Sequence, residues 1–151
     1  MFYGRLLNAA TLAAWLALLA GCVLFAGCDQ GPAMAHVRGQ VLYRGQPLEF
    51  GNVMFQPRAG QPASGDIQPD GTFSLSTYKI GDGAVVGRHK VRITCYEFQR
   101  PGVGLDKDSA PMPTFGKLFI PKKYTTIYTS GLEVDVELGM PDPLLFDLAD
   151  K

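Results

Sequence analysis

The chain is poor in the residues that most often carry chemistry. Its 151 residues hold two histidines, three cysteines and one tryptophan, and 14 Lys and Arg balance 14 Asp and Glu. Without net charge there is no long-range field to gather nucleic acid, and no acidic excess of the kind that keeps a tail solvated. His36 and His89 lie far apart in the chain, neither beside a cysteine or a carboxylate cluster. The spaced donor set of a zinc site is therefore missing, and no metal or cofactor is expected. No Gly-x-Ser-x-Gly elbow occurs, and Ser64, Ser74, Ser76, Ser109 and Ser130 fall in turn or strand contexts. Gly81-Asp82-Gly83 is too short for a phosphate loop and lacks the helix that should follow it. Asp106-Lys107-Asp108 supplies two carboxylates but not the remaining oxygens or the glycine of a calcium loop. These absences argue against an enzyme.

A 3.6-residue hydrophobic period is also missing from residue 29 onward. With 18 glycines and 11 prolines spread along the chain, a helical bundle is excluded and a turn-rich β domain is favoured.

What the chain does have is an apolar start. Residues 1–28 read MFYGRLLNAATLAAWLALLAGCVLFAGC, with Arg5 as the one charged side chain. A basic beginning, an apolar run and small residues before a cleavage point form a secretory leader. The uncharged stretch from Ala9 to Gly27 also approaches the ~20 residues that span a bilayer, so an uncleaved transmembrane helix is the competing reading. The ending favours the leader. Leu19-Ala20-Gly21-Cys22 and Phe25-Ala26-Gly27-Cys28 both resemble the bacterial lipobox, in which small side chains admit a peptidase and the thiol accepts diacylglycerol. Polar Asp29-Gln30-Gly31-Pro32 after Cys28 makes a better tether than apolar Val23-Leu24-Phe25 after Cys22. Cys28 is the expected lipidation site and Cys22 the alternative. The expected organisation is a lipoprotein signal peptide over 1–27, a tether over 28–35 and a β domain over 36–148. Cys95, within an alternating run, then has no disulfide partner and reads as a small core hydrophobe.

Alternation marks strands at His36–Tyr43, Asn52–Gln56, Ser64–Ile67, Thr72–Ser76, Gly87–Cys95, Leu132–Leu138 and Leu144–Leu148, and Pro69-Asp70-Gly71 marks a turn. Seven short strands with no helix predict an all-β sandwich. Gln99–Gly116 has no period and reads as a long exposed loop, of the kind that often carries recognition.

These residues resemble a known family. The run Val37-x-Gly39-x-Val41-x-Tyr43-x-Gly45-x-Pro47-Leu48-x-x-Gly51-x-Val53-x-Phe55 looks like the opening of carboxypeptidase regulatory-like domains. Gly65-x-Ile67, Asp70-Gly71-x-Phe73-x-Leu75 and Gly87-x-His89-x-Val91-x-Ile93 continue the likeness. Ile120-Pro121-x-x-Tyr124 and Ser130-Gly131-Leu132-x-Val134-x-Val136 are similar to the carboxy half of small planctomycete-type lipoproteins built on that domain. The resemblance spans roughly residues 36–148. It implies a single seven-stranded transthyretin-like (prealbumin-like) β-sandwich, an accessory module without catalytic residues.

Two surface features are candidate binding elements. Arg88, Lys90 and Arg92 should share the outer face of one strand, opposite an acidic stripe of Glu133, Asp135 and Glu137 if the strands are neighbours. Cross-strand pairing then explains the charges better than an anion site does. Tyr96 and Tyr124, with Tyr78 and Tyr128, could instead supply an aromatic sugar-binding surface. The expected function is a non-enzymatic, membrane-anchored envelope module facing the periplasm or exterior. It would bind a protein or glycan partner and no nucleic acid, with a carbohydrate-binding module as the alternative.

Overall fold

The computed structural model describes residues 31–102, 116–140 and 143–150. The expected leader, Cys22, Cys28, Asp106-Lys107-Asp108 and most of the Gln99–Gly116 loop lie outside them. The chain divides into two compact units, Met1–Gly31 and Pro32–Lys151, and the description below concerns the second.

The unit is all-β, with ten strands in three open sheets among the described residues. They are β1 Met34–Ala35, β2 Arg38–Tyr43, β3 Gln46–Pro47, β4 Asn52–Pro57, β5 Ala63–Asp66, β6 Thr72–Ser74, β7 Ala84–Val85, β8 Gly87–Thr94, β9 Leu132–Val136 and β10 Leu144–Leu148. One sheet runs β5-β4-β8-β9, all antiparallel. A second runs β10-β2-β3, with β6 also on β2. There β10 lies parallel to β2, pairing Phe146 with Val41. The third is the β1-β7 pair.

The strand count differs from the expected seven for a local reason. Each alternating run forms a strand, but β1, β3 and β7 are two residues long, too short to show any period. β1 falls in the stretch read as a tether: Ala35 is buried and pairs with Ala84. The run Leu132–Leu138 also ends early, since pairing stops at Val136 and Leu138 is exposed.

Alternation places the core. On β4, Val53 and Phe55 are fully buried while Asn52, Met54 and Gln56 are half-covered. On β8, His89, Val91 and Ile93 point inward and Arg88 and Lys90 outward. Phe55 of the first sheet meets Phe73 and Phe146 of the second at ring-centroid distances of 6.4 and 6.1 Å. Such ring pairs add roughly 0.5–1.5 kcal/mol each beyond the area they bury. Gly39 is required by that packing, because a Cβ there would lie 2.5 Å from the Phe73 ring and 2.6 Å from the Leu144 carbonyl.

Candidate functional site

The basic stripe is spent on its neighbours. β8 and β9 pair with Arg88 opposite Asp135 and Lys90 opposite Glu133. The Arg88 guanidinium donates through Nε to Glu133 Oε2 at 3.0 Å and through Nη2 to the same oxygen. Both side chains are substantially exposed, so the pair contributes under about 1 kcal/mol and is weakened by salt. Arg92 is half-buried and directs its Nε at Met54 Sδ, 2.9 Å away. This is the cross-strand arrangement expected of alternating charges, with Lys90 left exposed.

The two tyrosines do not share a surface. Tyr124 lies in a 3-10 turn, Lys122–Thr125, with its ring buried. Its hydroxyl donates to Ala149 O at 3.0 Å and accepts from Ala149 N at 3.1 Å, tying the turn to the chain just after β10. The expectation that Tyr124 belongs to an exposed aromatic platform is therefore corrected: its hydroxyl satisfies backbone groups that would otherwise lose their partners. Tyr96 is half-buried and stacks on Phe98 at 6.0 Å.

The ends of the long loop are held together. Glu97 N donates to Lys117 O and Phe119 N to Cys95 O, both at 2.9 Å, and Lys117 N donates to Glu97 Oε2 at 3.1 Å. Arg100 lies 5.0 Å from the Phe50 ring centroid and 5.5 Å from that of Phe119. Lys117 sits 5.4 Å from the Phe119 ring. Cation–π contacts from both ends of the loop onto one aromatic pair close its base.

The histidines serve separate loops. His36 Nδ1 donates to Gly81 O at 2.9 Å, and His89 Nε2 donates to Val85 O at 2.6 Å. Because a carbonyl only accepts, His89 carries its proton on Nε2. Its buried Nδ1 has no hydrogen-bond partner among the described residues. No group of three or more His, Cys, Asp or Glu able to hold a metal occurs among the described residues.

Cys95, directly after β8, is fully buried. Burial pushes its thiol up to about 11, so the nucleophilic thiolate is scarce at neutral pH. A maleimide reagent is expected to leave Cys95 unmodified in the folded protein and to label it fully in denaturant. Rapid native labelling would contradict this packing.

The turn after β2 carries a second polar cluster. Asp150 accepts from the Tyr43 hydroxyl at 2.6 Å and from Arg44 Nε at 2.8 Å. These hydrogen bonds, Tyr43 first, hold the Asp150 carboxyl below its ordinary value and raise the Tyr43 phenol above its own. A depressed carboxylate stabilises the fold above the unfolded value near 3.8, and that support is lost as pH falls through the folded pKa. A raised phenol stabilises below about 10 and loses that support as pH climbs past its folded value. Asp150→Asn should therefore flatten the acid limb of a stability–pH profile and return the Tyr43 titration, followed by ultraviolet absorbance, towards normal.

Sequence reasoning missed a groove of about 650 Å³ between the edges carrying β5 and β6. Arg38, Asn52, Ser64, Asp66, Thr72 and Ser74 are among its lining, and Asn52 Nδ2 donates to Asp66 Oδ1 at 3.0 Å. Small polar residues at outward strand positions were the only trace of it in the sequence. No protein-family model, curated protein or solved structure matches the chain.

Proposed function

We propose that the chain is an exported lipoprotein whose mature form is a transthyretin-like β-sandwich of the carboxypeptidase regulatory-like kind, tethered to a membrane through acylated Cys28. The observation that carries this reading is the order of the amino-terminal segments. An almost charge-free leader ends in a lipobox-like cysteine, followed by a short polar stretch, and pairing into the fold begins at once, with Val86 N donating to Ala33 O at 2.8 Å. Two acyl chains give stable anchoring where a single chain is marginal. The two four-stranded sheets, with Phe55 packed on Phe73 and Phe146, support a sandwich whose three extra strands are two-residue additions.

In this reading the module is non-enzymatic and holds a partner at the cell envelope. The contact region is the long loop on its closed base, since a rigid stem lowers the ordering cost of binding. The folded domain, immobilised and offered envelope extract, should retain material that a variant lacking residues 103–115 does not. Equal retention by both forms would contradict the assignment. A glycan partner is favoured by one observation, the groove between β5 and β6, where amides, hydroxyls, the Asp66 carboxylate and the Arg38 guanidinium beside the Phe73 ring suit a polyol. Titration of envelope polysaccharide into wild type and Arg38→Ala tests it, with weaker binding by the variant expected.

A further inference from the structure

Between β6 and β7 the chain makes a closed excursion, Ser76–Gly83, whose ends meet where Gly83 N donates to Leu75 O at 3.1 Å. Its interior is held by side chains rather than by strand pairing. The Asp82 carboxylate accepts from Thr77 N at 2.7 Å, Tyr78 N at 2.9 Å and Lys79 N at 2.8 Å. Ser76 Oγ accepts from Gly81 N at 2.9 Å, and Thr77 Oγ1 donates to Gly83 O at 2.7 Å. The His36 ring fastens the outside through Gly81 O. Gly83 is forced: its φ is +88°, and a Cβ there would overlap the Ala35 carbonyl.

This well-fixed turn presents three side chains to water. Ile80 at its apex is 102% exposed, Tyr78 is 53% exposed, and Lys79 between them is exposed too. A scattered exposed hydrophobe is ordinary. A fully exposed isoleucine on a turn that so many hydrogen bonds hold in place is a preorganised apolar contact. The flanking residues suggest what it contacts. A tyrosine ring suits the headgroup layer, a lysine reaches phosphate, and a branched aliphatic chain suits the acyl boundary beyond.

We infer that the Tyr78-Lys79-Ile80 turn docks on the surface of the phospholipid bilayer that holds the lipid anchor, and so orients the domain against it. This rests on the anchored reading above. His36, to which the turn is bonded, lies eight positions after Cys28, a span that fully extended reaches no more than about 28 Å. A contact too weak to recruit a free protein becomes effective when a tether that short keeps its local concentration high. The basic stripe on β8 is no rival, because Arg88 and Lys90 lie opposite Asp135 and Glu133 across the same sheet and Arg92 is directed at Met54.

The test uses the mature lipidated protein, which has lost Trp15 with the leader, so that an introduced tryptophan is the sole reporter. Ile80→Trp is compared with Tyr128→Trp, an 84% exposed position outside the turn. Each protein is reconstituted into vesicles of phosphatidylethanolamine and phosphatidylglycerol with brominated acyl chains. Tryptophan at 80 should shift to the blue and lose about two-fold in emission, as expected a few ångströms below the headgroups, while tryptophan at 128 should not. If the protein sediments with vesicles but position 80 is unquenched, or both positions are quenched alike, the inference is overturned and the anchor stands. If the protein stays in the supernatant, the anchor reading fails and the inference fails with it.

Discussion

Replacing Phe55 with alanine is expected to lower the unfolding free energy of the domain by about 3–5 kcal/mol. Phe55 is fully buried at the centre of β4, and its ring touches Phe73 and Phe146 of the facing sheet and His89 of its own sheet, 5.8 Å away. Truncation removes its transfer free energy and leaves a cavity walled by Phe73 and Phe146. Those two rings are stacked on each other 6.1 Å apart and cannot both move in to fill it. Set against a typical total of 5–15 kcal/mol, this removes a large share of the stability. Urea denaturation followed by tyrosine fluorescence measures it, and a loss under about 1 kcal/mol would show that the two sheets do not share one core.

Gly51→Ala should cost more than a positive φ alone explains. Gly51 has φ +130°, outside the range that side chains tolerate, and an added Cβ would collide with the Thr94 carbonyl oxygen. The backbone has little freedom to yield, because Ile67 N donates to Gly51 O at 2.9 Å and Asn52 pairs with Thr94 in the next register position. A loss of at least about 2 kcal/mol is expected from strain combined with the clash. Gly45→Ala is the informative control. Its φ is also positive, at +74°, but nothing lies within 4 Å of the added carbon, so only the ~1 kcal/mol conformational cost should appear. Equal losses at the two positions would remove the argument from close approach.

The long strands were legible in the sequence because a half-buried strand writes its pleat as alternation. Val91, Ile93 and Cys95 against Lys90 and Arg92 is a clear example, and Phe73 with Leu75 another. Gly51 could be recognised as a point of close approach because glycine inside a strand pattern has few other uses. The short strands were not legible: Met34–Ala35 and Ala84–Val85 carry no period and are placed by pairing with each other. Nor was the parallel docking of β10 on β2, which joins the two ends of the described unit and depends on tertiary packing alone.

Site residues divided in the same way. The charges on β8 and β9 could be paired from sequence, since two alternating stripes of opposite sign need only be neighbours. Tyr124 could not be told from a surface aromatic, because its burial follows from a hydroxyl satisfying Ala149, which lies 25 residues further along the chain. The two glycines of Gly81-Asp82-Gly83 are themselves a turn signal for Ser76–Gly83. That Asp82 would gather three amides and leave Ile80 uncovered emerged only from the folded geometry.

The central claim is that this β domain works at a membrane through a lipidated cysteine. Its most direct test is the intact mass of the protein extracted from membranes. The reading predicts a chain shortened by the first 27 residues and bearing diacylglycerol on Cys28, with Asp29 as the second residue. A mass placing the modification on Cys22 would move the boundary and keep the claim. An unmodified chain beginning at Met1 would contradict it.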